Sequence, residues 1–342
     1  MFDTEEQLEA ELTRPSRMLV EEVSTWSGER GLVILGAGGK MGSAVATMAR
    51  RALDQAGKSD HVVTAVSRWT DEKRRTSLQN HGVHTVTCDL AEPDEVAALP
   101  DADRVIHLVG SKFGTSTHAD VAWMTNTVIP SHVARRYADS AICALSTGNV
   151  YPLTDPGLGG PREDDPVGPV GEYAITCRGR EQVFLNASRT RGTKITLIRL
   201  NYACEARYGV LVDLARKIIA REPVDLRIGA VNVVWQRYAN EVFLRAISHA
   251  AAPPFVINVT GPETASVRAL AKDIGARLGI EPSFDGTELP TSLLSNAMLC
   301  HELFGYPDRS LGEMIGIVTD WLWVGGGVWD KPTKFERRDG QF

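Results

Sequence analysis

The sequence predicts an α/β protein: a doubly wound parallel sheet followed by a smaller C-terminal α/β lobe. Three observations carry this reading. From residue 31 onward, short apolar runs alternate with longer helix-like stretches. The runs are mostly continuous rather than alternating, as in strands covered on both faces. The chain has 342 residues, which at roughly 150 residues per domain gives about two lobes.

The elements follow in order. Residues 1–29 read as a helical extension. Leu8, Leu12, Leu19 and Val20 fall at helical spacing, Pro15 interrupts them, and Thr4 before Glu5, Glu6 and Gln7 resembles a capped start. Strands are expected at 32–35, 62–66, 83–86, 105–109 and 141–145, with helices at 43–56 and 91–98. Residues 151–171 hold Pro152, Pro156, Pro161, Pro166 and Pro169 and read as an irregular loop. A helix starts near Tyr173 and a strand follows at 195–198. Beyond Ala203 come a helix at 210–220, strands near 231–234 and 255–259, and a helix at 267–278. The boundaries drawn are 30–203 for the sheet domain and 204–325 for a lobe with segments returning to the sheet. A polar tail, 326–342, is expected along the surface.

Hydrophobic residues are 43% and charged residues 23%, which excludes a disordered, collagen-like or coiled-coil chain. The net charge of -6 argues against nucleic-acid partners and a polybasic membrane surface. Five scattered cysteines without a C-x-x-C pair fit a reducing compartment and offer no zinc framework. No histidine pair has metal-site spacing, so no metal is expected. The N-terminus lacks an apolar signal-peptide core, and no apolar run nears the length of a membrane span. A soluble, cytoplasmic protein is expected.

The strongest motif is the glycine loop at 31–42. Gly36, Gly39 and Gly42 follow an apolar strand and precede a helix. Gly36 allows the tight turn, Gly39 lets backbone approach a pyrophosphate, and Gly42 lets helix pack on strand; Lys40 and Met41 lie between. This is the phosphate cradle of a Rossmann-type dinucleotide site. At the end of the second strand an NAD site wants an acid for the ribose 2′-hydroxyl. Ser67 and Arg68 stand there instead and suit a 2′-phosphate, so NADP is preferred over NAD. Asp71 and Glu72, a little further on, are the acids that would serve NAD.

These features resemble the extended short-chain dehydrogenase/reductase family, the NAD-dependent epimerase/dehydratase group. Asp89 and Leu90 resemble its pair beside the adenine, and 105–110 its fourth strand. Asn126 with Thr127 is similar to its structural Asn segment. Residues 146–151 resemble its Ser-Ser-x-x-Val-Tyr strand end, with Thr147 at the catalytic Ser/Thr position. Tyr173 stands at the catalytic Tyr position, with Glu181 eight residues on, and 199–202 resembles a later family segment. The likeness spans about residues 30–325. It implies an NAD(P)-dependent oxidoreductase or epimerase acting on a hydroxyl or carbonyl carbon of a sugar or sugar-derived small molecule. By the same resemblance Thr147 polarises the carbonyl, Tyr173 exchanges the proton, and helices around Asn126 and Tyr173 pair in a homodimer.

One departure stands out. A phenol with a pKa near 10 is a poor base at neutral pH. The family lowers it with a lysine four residues later on the same helix face, a residue that also holds the nicotinamide ribose. That position holds Cys177 here, and a neutral thiol supplies no charge. Another cation substitutes, with Arg180 and Lys112 as candidates; or Tyr173 only donates a hydrogen bond; or the fold is catalytically degenerate and senses or scaffolds through NADP(H). Gln236 and Arg237 are further candidates for an oxygen-rich or anionic substrate.

Overall fold

The computed structural model describes residues 2–341. Seven parallel strands form the central sheet: β1 (Leu32–Leu35), β2 (Val63–Ser67), β3 (His84–Thr87), β4 (Arg104–His107), β5 (Ala141–Thr147), β6 (Lys194–Leu200) and β7 (Phe255–Val259). Their order is β3-β2-β1-β4-β5-β6-β7. The order reverses beside β1, and in open sheets the crevice at that reversal is where ligands bind.

Side-chain alternation divides the sheet into two faces. Ile34, Ala65, Ile106, Cys143, Ile198 and Ile257 face one core, with α2 (Arg17–Ser24), α3 (Gly42–Gln55) and α10 (Gln236–Ala246) packed there. Val33, Leu35, Val66, Val105, Ile142, Ala144 and Leu197 face the other. The helices α7 (Ile129–Arg136) and α8 (Gly171–Arg191) cover that side. Both faces are dry, which is why these strands read as continuous apolar runs.

A second core lies beyond the sheet. It is built by α9 (Val210–Ile219), α11 (Val267–Leu278) and α13 (Leu311–Trp323). Segments after residue 204 nonetheless return to the sheet: β7 pairs with β6, and α10 packs on α3. Two-residue strands at Ala230–Val231 and Val234–Trp235 replace the longer strand expected at 231–234.

The N-terminal extension forms two capped helices. Thr4 caps α1 (Glu5–Leu12) and Ser16 caps α2, with Pro15 in the break between them. Leu8 and Leu12 enter the second core, whereas Leu19, Val23 and Trp26 enter the first. Full burial of each such leucine contributes about 1.5–3 kcal/mol. The extension therefore bridges the two cores. Glu11 bonds Arg14 and Arg309, and Ser16 donates to Glu241.

The tail differs from expectation. Its polar residues suggest a surface path, yet Thr333, Phe335 and Gly340 are buried. Phe335 joins the second core, and Gly340 lies against Gly171 at the start of α8. No helix among the described residues is long and apolar enough to cross a membrane.

Candidate functional site

The glycine loop leaves β1 at the sheet reversal. Gly36 has φ +85°, which a side chain rarely tolerates. The nitrogens of Gly36 and Ala37 both donate to the Val66 carbonyl, at 3.0 and 3.1 Å. A Cβ on Gly42 would stand 2.5 Å from the Gly36 oxygen and 2.6 Å from the Ala37 Cα. Only glycine lets α3 start this close to the loop. Met41 is the N-cap of α3 and makes no side-chain cap bond, so the helix end presents its N–H donors and positive dipole toward the loop.

The opposite wall carries the hydroxyl groups. Thr147 ends β5, and its hydroxyl donates to the Asn149 side chain at 3.1 Å. Tyr173 lies in the first turn of α8. Its phenol lies beside the Thr147 hydroxyl and the Cys177 thiol. Burial pushes the Tyr173 phenol well above its ordinary value, opposed by Thr147 and the Arg180 charge. Burial likewise raises the Cys177 thiol, with Arg180 and Lys112 opposing.

Three cations surround this wall. Arg180 reaches back along α8 toward its N-terminus, as helical side chains do. It is 2% exposed, donates to the Leu145 carbonyl at 2.7 Å, and bonds Asn126. Lys112, in the loop after β4, donates to the Thr333 carbonyl at 2.8 Å. Its ammonium lies 5.9 Å from the Tyr173 ring centre. Burial pushes Lys112 down to about 8, with Asp213, Cys177 and Glu336 acting to raise it and Lys334 to lower it. Lys40 sits over the Tyr208 ring at 3.2 Å. Burial and the Lys112 and Lys331 charges push it down to about 7.

One cavity of about 220 Å³ joins these features. Gly36, Gly39, Lys40, Met41 and Gly42 line one end, and Thr147, Tyr173 and Lys112 the other. Among the described residues, no aspartate or glutamate lines it. A Cβ on Gly39 would meet only the Gly36 oxygen, at 3.2 Å. An uncapped helix start, open glycine backbone and two lysines in the lining together fit an anionic dinucleotide phosphate.

Several expected residues lie outside this cavity. Asn126 is fully buried in a π-helical turn, Met124–Val128. Its amide braces Ser111 at 3.0 Å and Thr176 at 2.9 Å, besides Arg180. Cys177 sits behind Tyr173 in a small cluster with Val150 and Tyr151. Arg68 is largely exposed, with its guanidinium 3.9 Å from the Asp89 carboxylate. Asp71 caps α4 (Glu72–Asn80), and Arg74 of that helix donates to the Gly38 carbonyl at 2.7 Å. Gln236 lines the cavity, but Arg237 turns away to Asp308 and Glu11. Sequence reasoning missed Tyr208, Asp213 and Thr333. Tyr208 and Asp213 flank the start of α9, but Thr333 is far away in sequence and carries no local signal.

The sequence matches the model of the NAD dependent epimerase/dehydratase family over residues 32–224. The chain belongs to the NAD-dependent epimerase/dehydratase family. That family sits within the short-chain dehydrogenase/reductase superfamily, and its match runs from β1 past α9. No curated protein matches the chain. Solved structures share its fold. Pal from Bacillus thuringiensis is 16% identical, with a TM-score of 0.70 over 86% of this chain and 99% of that one. UDP-glucose 4-epimerase from Thermotoga maritima is 15% identical, with a TM-score of 0.69 over 86% and 98%. UDP-glucuronic acid 4-epimerase from Bacillus cereus, solved with NAD, is 16% identical, with a TM-score of 0.70 over 86% and 98%.

Proposed function

We propose that this member of the family oxidises, reduces or epimerises a hydroxyl or carbonyl carbon of a sugar or sugar-derived molecule, with NADP preferred over NAD. The observation that carries this is that Tyr173 and Thr147 stand together on the wall of a cavity that continues into the glycine loop. Structural neighbours described as sugar-nucleotide epimerases support the sugar class.

Gly36, Gly39, Lys40, Met41 and Gly42 hold the pyrophosphate. Arg68 takes the ribose phosphate, and Asp89 with Leu90 borders the adenine. The absence of an acid directly after β2, with Asp71 engaged as a helix cap, supports NADP. When bound, the cofactor supplies a hydride acceptor or donor. The chain's own residues handle the oxygen: Thr147 orients it by hydrogen bonding, and Tyr173 donates a proton to it or takes one from it. Asn126 positions rather than touches, through Thr176 and Arg180.

Exposed apolar side chains Trp123, Met124, Val128 and Leu185 lie on the segment around Asn126 and on α8. They support a homodimer through those helices.

The test is a panel of sugars, sugar acids and polyols offered with NADP and NAD, following reduced-cofactor absorbance and product stereochemistry. Turnover on an oxygenated carbon, favouring NADP, is expected. Cofactor binding without turnover on any panel member would move the protein to the sensor or scaffold reading.

A further inference from the structure

We propose that Lys112 takes the place of the lysine displaced by Cys177, its ammonium held beside Tyr173 by the C-terminal tail. This rests on the reading of Tyr173 as the proton-exchanging group.

Position is the first argument. Lys112 lines the same cavity as Tyr173 and Thr147, with its ammonium 5.9 Å from the phenol ring centre. Its charge bears on Cys177, the residue occupying the usual lysine position. A cation from the β4 loop thus reaches the Tyr173 ring, while the charge that already bears on the phenol is that of Arg180. Arg180 is the other candidate. It is committed to the Leu145 carbonyl and Asn126 and does not line the cavity. It braces the wall, whereas Lys112 presents charge to the ligand space.

Restraint is the second argument. A lysine on a loop has a long mobile stem and needs a fixed partner. The Thr333 carbonyl accepts one of the three ammonium protons at 2.8 Å. Thr333 is held in turn, its nitrogen and hydroxyl both donating to Asp213 on α9, at 2.7 and 2.6 Å. The buried Phe335 follows two residues later. Asp213, Thr333 and Lys112 thus form a chain from the second core to the catalytic wall. Among the described residues, the titratable groups facing Lys112 include the Cys177 thiol on α8, Lys40 in the glycine loop, Asp213 on α9, and Lys334 and Glu336 in the tail. With its value near 8, Lys112 keeps its charge at neutral pH.

The experiment moves the lysine. Lys112→Met, Cys177→Lys and the double variant are compared with wild type, using thermal denaturation to confirm folding. Two signals are read: fluorescence titration with NADPH, and turnover on the best panel substrate. Lys112→Met is expected to lower turnover by about 10²–10⁴-fold, the range for a lost acid–base function, and to weaken NADPH binding. Cys177→Lys on that background restores both, and Lys112→Arg retains part of each. A folded Lys112→Met within threefold of wild type in both signals overturns the proposal. So does a double variant no better than Lys112→Met, because a merely structural lysine is not rescued from position 177. Tyr173→Phe separates the layers: if it keeps full turnover, the reading of Tyr173 has failed, whatever Lys112 does.

Discussion

At the scale of single residues, position 177 holds no lysine beside Tyr173, and Lys112 and Lys40 line the same cavity. Lys40 shows the consequence most simply. Burial and neighbouring lysines hold it near 7, so it is protonated below that value and neutral above it. A protonated ammonium attracts a phosphate, and a neutral amine does not. NADPH affinity is therefore expected to fall as pH rises through 7 toward 8. The fall should be several-fold over that unit, since binding that needs one proton weakens at most about tenfold per pH unit. Titrations at several pH values check this, and Lys40→Met should flatten the profile at the weak end. The glycines and Tyr173 were legible because their chemistry lies in local spacing. The Lys112–Thr333 contact was not, because 221 residues separate its partners.

At the scale of elements, α8 does two jobs. Its first turn presents Tyr173, and its second half locks onto the sheet. Glu181 is 1% exposed and accepts from Arg199 Nε and Nη2, at 2.9 and 3.0 Å, as well as from the Ser146 hydroxyl and Arg178. Burial alone would raise its carboxyl, but Arg199, Ser146 and Arg178 together more than offset this and hold it below the ordinary glutamate value. Glu181→Ala leaves Arg199 buried and unpaired, at an expected cost of about 3–5 kcal/mol by urea denaturation. The sign with pH follows from the lowered value. The stabilisation is present above the unfolded glutamate value and is lost as pH falls through the folded one, so the gap between variant and wild type should narrow in acid. Element order was readable from apolar periodicity, with strand ends shifted by a residue or two. β4 stops at His107 rather than 109 because Leu108 already turns into the cavity wall. The tail's polar composition gives no sign of its three buried positions. What decides its path is an acid on α9 and a glycine at the start of α8.

At the scale of the whole molecule, both ends of the chain tie the lobes together. The N-terminal helices enter both cores, and the tail runs from α13 past α9 to α8. The apolar face at Trp123, Met124, Val128 and Leu185 is left uncovered within one chain. Sedimentation is expected to show a dimer, and Leu185→Glu with Trp123→Glu a monomer; a wild-type monomer at high concentration would refute that pairing. In the proposed reaction, Tyr173 exchanges the substrate proton inside the cavity that holds the glycine loop. The most direct test compares turnover and NADPH affinity of wild type and Tyr173→Phe on the same substrate. The account predicts a turnover loss of about 10²–10⁴-fold with affinity within a few-fold. Equal turnover in the two proteins would contradict it.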